Sequence, residues 1–236
     1  MDPRSVLPPG TAEVSQALAG SGSLRPFYLA GGTGLALQLG HRRSDDLDFF
    51  SKEPRETIDV DRISRAIERS FHDGDAILEL KSATQVTWSI RGTKVSFIAY
   101  PFPLLWPLRE ARTLVPELAG VELASVQEIT TMKAYALGRR AAARDYVDLY
   151  FAMATGMVAL EDVIDEASRK FVLRGESVFS RKLFLEQLCY TKDLEDVDAA
   201  LRLVGEPGVT LETVEAFLRK EVERLLRTGG LGADMS

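Results

Sequence analysis

The feature that most narrows what this chain can fold into is a glycine pair followed at a set distance by an acidic pair. Leu29-Ala30-Gly31-Gly32-Thr33 is followed, thirteen positions after Thr33, by Asp46-Leu47-Asp48-Phe49-Phe50. Phe27 to Ala30 is an apolar run of strand length and Thr33 to Leu39 reads as a short helix, so Gly31 and Gly32 fall at a strand-to-helix turn. Glycine lets the backbone approach a ligand closely there, and a helix start offers unpaired N–H groups that suit phosphate. Thr33 adds a hydroxyl at the same end. Leu47 to Phe50 reads as a second strand. Residues two apart on a strand share a face, so Asp46 and Asp48 project together, Leu47 points into the core and Asp45 faces solvent. Two adjacent carboxylates repel unless a cation neutralises them. Their hard oxygens suit Mg²⁺, which is commonly held by one or two carboxylates plus substrate phosphates. Taken together, the two halves ask for a nucleotide.

The chain around this pair is globular. Of 236 residues, 45% are hydrophobic and 27% charged, which excludes a disordered chain, and no apolar run reaches the ~20 residues of a membrane span. Met1 to Gly10 lacks the basic start, apolar middle and cleavage site of a secretory signal, and Cys189 is the only cysteine, so a reducing cytoplasm is expected. A net charge of −6 disfavours coating nucleic acid by charge alone; such a contact requires a local basic patch.

The pattern predicts an α+β protein in two lobes. Residues 1–103 form an α/β lobe with a small mixed sheet. Beyond the elements already named, Asp59 to Phe71 carries apolar residues at helical spacing, and Ile77 to Ser82, Gln85 to Arg91 and Lys94 to Tyr100 are β-rich. Residues 104–122, interrupted by Pro107, Pro116 and Gly120, read as a linker. Residues 123–236 read as a helical bundle, with helices over Asp145 to Ala154, Leu160 to Phe171, Arg181 to Tyr190 and Thr210 to Leu226. Its first helix opens with a capping box of Ser125 and Glu128.

Between Ile129 and Arg144 stand Lys133, Arg139, Arg140 and Arg144 with no acidic residue. On a continuous helix, Lys133, Arg140 and Arg144 fall within ~40° of one another and make one basic face. Asp145 and Asp148 follow directly.

The stretch from Gly31-Gly32-Thr33 through Gly40-His41-Arg42-Arg43-Ser44-Asp45-Asp46-Leu47-Asp48-Phe49-Phe50 resembles the signature of AbiEii/AbiGii-type toxins, within the DNA polymerase β-like nucleotidyltransferase superfamily. Tyr100-Pro101-Phe102-Pro103, Met132-Lys133 and Arg144-Asp145-Tyr146-Val147-Asp148-Leu149-Tyr150 resemble later stretches of the same family. The resemblance implies transfer of an NMP from an NTP to a hydroxyl acceptor, a tRNA 3′ end or a protein Ser or Tyr, by a toxin paired with a separately encoded antitoxin. It implies that Asp46 and Asp48 hold Mg²⁺, that Gly31, Gly32 and Thr33 cradle the triphosphate, and that Lys133 and Arg144 neutralise phosphate, with Arg140 a further candidate. Asp145, with Asp148 behind it, joins the catalytic set.

One position departs from the superfamily pattern. A third carboxylate is expected on the Lys94-to-Ile98 strand, where Ser96 stands instead. Asp145, or failing it Asp148, is expected to compensate from the second lobe, as a base or as an anchor for the cations beside it. Ser96 also keeps open a nucleotide-binding module of the same fold without turnover, and a third reading is an interaction protein whose helical lobe docks an antitoxin.

Overall fold

The computed structural model describes residues 2–194 and 196–228, which form two compact units dividing between Ser125 and Val126. In the first unit α1 (Thr11–Gly20) precedes β1 (Phe27–Leu29), α2 (Gly31–Leu39), β2 (Asp46–Ser51) and α3 (Val60–Ser70). The strands β3 (Ala76–Lys81), β4 (Gln85–Ile90), β5 (Thr93–Ile98), β6 (Arg109–Glu110) and β7 (Glu122–Leu123) complete it. All seven strands join one mixed sheet in the order β3-β4-β5-β2-β1-β7-β6, with β2 parallel to β5 and antiparallel to β1.

Strand alternation divides the two sheet faces by chemistry. Phe27, Leu29, Leu47, Phe49, Val86, Trp88, Ile90, Val95 and Phe97 belong to the hydrophobic core, together with Val14 and Leu18 of α1 and Ile63 and Ile67 of α3. The register pairs Asp46 with Lys94 and Asp48 with Ser96 between β2 and β5, and Thr87 with Ser96 between β4 and β5. The face opposite the core therefore carries polar residues at the centre of the sheet. Helix α3 starts where Asp59 accepts a hydrogen bond from the Arg62 amide (2.9 Å), and its apolar residues recur at helical spacing.

Residues 104–122, expected as a linker, lie within the first unit. Ala111, Val115, Leu118 and Val121 are buried in its core, and β6 and β7 extend its sheet. The prolines interrupt helix and strand, but the apolar residues between them drive burial. Pro116 opens a short 3₁₀ turn rather than a free connection.

The second unit comprises α4 (Val126–Leu137), α5 (Ala143–Ala154), α6 (Leu160–Lys170), α7 (Arg181–Leu188), α8 (Val197–Leu203) and α9 (Leu211–Arg227). The expected bundle holds, with two differences. A small hairpin of β8 (Val172–Leu173) and β9 (Glu176–Ser177) separates α6 from α7, and α8 arises where no helix was expected. The end of the expected lobe, residues 229–236, lies outside the described residues.

The continuous basic helix does not form. Helix α4 stops at Leu137, where the amides of Arg139 and Arg140 both donate to the Ala136 carbonyl, and α5 begins only at Ala143. The Arg139 guanidinium, outside the expected face, lies 3.4 Å from the Tyr135 ring centre, a cation–π contact.

Candidate active site

The first unit assembles its candidate groups around the start of α2. Gly31 has φ +62°, a left-handed conformation that L side chains rarely adopt, and a Cβ there would stand 2.8 Å from Asp48 Oδ2. The Ala30 amide donates to the Asp48 carbonyl at 3.0 Å, tying the strand-to-helix turn to β2. Helix α2 begins without a side-chain cap. Along β2, Asp46, Asp48 and Phe50 are half-buried while Leu47, Phe49 and Ser51 are buried, so the two carboxylates share a face and Asp48 abuts the glycine turn.

Thr33 is held differently from the expectation that its hydroxyl reaches phosphate. It is 2% exposed, its Oγ1 lies 2.7 Å from Ser44 Oγ, and it donates to the Asp46 carbonyl. The hydroxyl is turned into the chain's own fold, where it fixes the entry to β2 at Asp46. Ser96 stands beside Asp48 in the β2–β5 register, where the third carboxylate was expected, and its hydroxyl lies 3.2 Å from that of Thr87. Exposed Lys94 occupies the register position beside Asp46.

Among the described residues no three His, Cys, Asp or Glu side chains converge as a metal site. Asp46 and Asp48 offer two hard carboxylates on one strand face beside an uncapped helix start. That donor set fits Mg²⁺, whose remaining positions are filled by water and by phosphate oxygens.

A second cluster lies wholly in the helical unit. Lys133 of α4 places its ammonium 2.7 Å from Asp145 Oδ1 and 2.6 Å from Asp148 Oδ2, both on α5, and all three side chains are buried. Arg140, in the break between the helices, donates from Nε to Asp145 Oδ2 at 2.8 Å and from Nη2 to Oδ1 at 3.0 Å. This two-pronged pairing leaves the Arg140 side chain 62% exposed. Burial pushes the Asp145 carboxyl upward, but Lys133 and Arg140 outweigh it and hold the group below its usual range. Asp145 is thus a standing anion, suited to orient two cations and poorly matched to accepting a proton near neutrality. The Lys133 charge is already matched within the cluster, whereas Arg140 carries its charge outward. Arg144 is half-buried on α5.

Two further arrangements had no signal that sequence reading used. Arg42, named in the sequence only within the Gly40-to-Phe50 stretch, is 2% exposed, and its Nη2 occupies the space 2.1 Å from where a Gly32 Cβ would lie. Glu128, read as a capping residue, is fully buried and bonded to the fully buried Lys170 of α6. Glu128 and Lys170 lie 42 positions apart, and their pairing is invisible without the packing of α4 on α6.

The family model for nucleotidyl transferase AbiEii toxin, type IV toxin–antitoxin system, matches residues 16–229. An uncharacterised protein of Aquifex aeolicus (strain VF5) is 28% identical over 214 residues, covering 91% of this chain and 95% of that protein. MenT4, a nucleotidyltransferase toxin of Mycobacterium tuberculosis H37Rv, superimposes with a TM-score of 0.57 at 18% identity, covering 94% of this chain and 84% of its own. JHP933 from Helicobacter pylori does so with a TM-score of 0.50 at 17% identity, covering 92% and 90%. At those identities the two structures speak for the fold alone, while the match over residues 16–229 decides the family: the chain belongs to the AbiEii nucleotidyltransferase toxins of type IV toxin–antitoxin systems.

Proposed function

We propose that this nucleotidyltransferase moves an NMP from an NTP to a hydroxyl of a tRNA 3′ end or of a protein Ser or Tyr, with Asp46 and Asp48 holding Mg²⁺. The observation that carries the reading is the placement of both carboxylates on one face of β2, with Asp48 against the Gly31 turn. When bound, the metal supplies charge neutralisation at the phosphates. The amides of Gly31 and Gly32 at the uncapped start of α2 bind phosphoryl oxygens. Thr33 and Ser44 hold the chain that presents Asp46. The acceptor oxygen attacks the α-phosphorus, a new P–O bond forms, the bond to the β-phosphate oxygen breaks and pyrophosphate leaves. The hydroxyl proton passes to solvent, since Asp145 is held too acidic to take it. Positioning and charge stabilisation then account for the lowered barrier.

In the second unit, Arg140 and Arg144 are the cations we assign to phosphate, with Lys133, Asp145 and Asp148 as the frame that orients Arg140. A separately encoded antitoxin, implied by the family, is the partner.

Transfer of α-labelled phosphate from each NTP, measured with tRNA and with protein as acceptor, in Mg²⁺ and in chelator, tests the reading. Asp46→Asn and Asp48→Asn are expected to reduce transfer to background while the fold, followed by circular dichroism, persists. Undiminished transfer by both variants rejects the carboxylate assignment.

A further inference from the structure

Strand β3 ends the seven-stranded sheet and pairs on one side only, with β4. Its sequence is Ala76-Ile77-Leu78-Glu79-Leu80-Lys81. Ile77 is 61% exposed, Leu78 42% and Leu80 46%. Nine large apolar side chains are exposed among the described residues, and three of them stand on this strand, while no other strand or helix carries more than one. Single exposed apolar residues are ordinary, but three along an open edge set a row of backbone donors and acceptors beside apolar groups, a combination that sheets usually blunt or cover.

The pairing with β4 fixes which way these side chains project. Ile77 stands opposite Ser89 and Leu80 opposite Thr87, and Ser89 and Thr87 in turn stand opposite Lys94 and Ser96. Both apolar residues therefore lie on the sheet face that carries Asp46 and Asp48, whereas Leu78, opposite the core residue Trp88, lies on the other. Residues three apart share a face here because the register slips between Leu78 and Leu80. A regular strand, whose side chains share a face at every second residue, cannot oppose apolar groups to both. An antiparallel copy of the same strand can: when Ile77 faces the partner's Leu80, Leu80 faces the partner's Ile77, and the two irregular segments lie side by side. Charge permits the same register. Glu79 and Lys81 make the strand neutral within a chain of net charge −6, and Lys81 is 2.8 Å from Asp61 of α3. Glu79 then faces the partner's Leu78 and Lys81 the partner's Ala76, so no like charges are opposed, whereas a pair centred on Glu79 would set two carboxylates together.

We propose that β3 is a self-association surface: two copies of the chain join edge to edge through antiparallel β3 strands, with Ile77 of each packed on Leu80 of the other, so that two sheets become one. The contact is isologous, with its two-fold axis normal to the sheet, and both faces bearing Asp46 and Asp48 then look the same way. The proposal stands apart from the nucleotide reading of the Gly31-Gly32 turn, since it uses none of the groups assigned there.

Sedimentation velocity of the full chain between about 1 and 100 μM tests it. The unaltered chain is expected to pass from monomer to dimer across that range. Ile77→Lys and Leu80→Lys are each expected to weaken the association by at least about tenfold, because a charge would be buried among apolar groups. Met157→Lys, at an exposed apolar residue outside the strand, is expected to leave it unchanged. Cross-linking reads the register with milder substitutions, since Cα atoms of directly opposed residues lie about 4.5–5.5 Å apart, within disulfide reach. A mixture of Ile77→Cys and Leu80→Cys chains is expected to form the mixed disulfide dimer under mild oxidation faster than either variant alone, with the unaltered chain and its Cys189 as the blank. A chain that stays monomeric throughout overturns the proposal and leaves the edge to a strand of another protein. Association at full strength in both lysine variants also overturns it, as does faster cross-linking of either cysteine variant with itself.

Discussion

At the scale of single residues, Gly31 does two things that a side chain would prevent. It adopts φ +62° and leaves room for the Asp48 carboxylate. Gly31→Ala is therefore expected to cost about 1–3 kcal/mol in backbone strain and also to displace Asp48. Gly156 has φ +70° with nothing within 4 Å of a Cβ, so Gly156→Ala carries the strain alone. Denaturant unfolding should show both variants destabilised, and nucleotidyl transfer should fall only in Gly31→Ala. Equal transfer by the two would separate the glycine turn from the chemistry. Thr33 illustrates how a correct position can carry a different role: it stands at the helix start, yet its rotamer turns the hydroxyl to Ser44 and the Asp46 carbonyl. Nothing in the sequence encodes that direction, because either orientation serves a threonine in the first turn of a helix.

At the scale of elements, α4 and α5 are joined through charge. Removing Lys133 leaves Asp145 and Asp148 buried with one fewer cation, and breaking a buried pair of this kind costs about 3–5 kcal/mol. Lys133→Ala is expected to lower the unfolding midpoint of the chain accordingly, read by urea denaturation. Acid supplies an independent check. Asp145 titrates below its ordinary value when folded, so its contribution to stability is complete above the unfolded value of about 3.9 and is lost as pH falls through the folded one. Stability should thus decline on acidification below about pH 4 in the parent chain. In Asp145→Asn that part of the decline should vanish, from a lower starting stability. The spacing of Lys133, Arg140 and Arg144 along the chain does not show the break between α4 and α5. What decides it is the packing at that point: a Cβ on Gly138 would touch Leu183 of α7 at 3.4 Å, and Arg139 stacks on Tyr135.

At the scale of the whole molecule, the chain carries a net charge of −6, so a polyanionic acceptor must be met locally. Transfer to tRNA is expected to weaken steeply between about 50 and 200 mM salt as released counterions oppose binding, with a log–log slope near −0.7 for each phosphate neutralised. Transfer to a protein hydroxyl should show far less dependence. Steady-state KM for each acceptor across that salt range distinguishes them. No helix among the described residues is long and apolar enough to cross a membrane.

The sequence by itself determined the α+β architecture, the strand-to-helix glycine turn and the shared face of Asp46 and Asp48, because these follow from local spacing and the period-two geometry of a strand. The place of residues 104–122 in the first unit, the seat of Arg42 on Gly32, the buried Glu128–Lys170 pair and the Lys133–Asp145–Asp148 frame were decided by tertiary structure alone. Each of these joins groups whose proximity depends on how elements pack, and the energy of burying a charge is set by the partners that packing brings to it, which no spacing along the chain records.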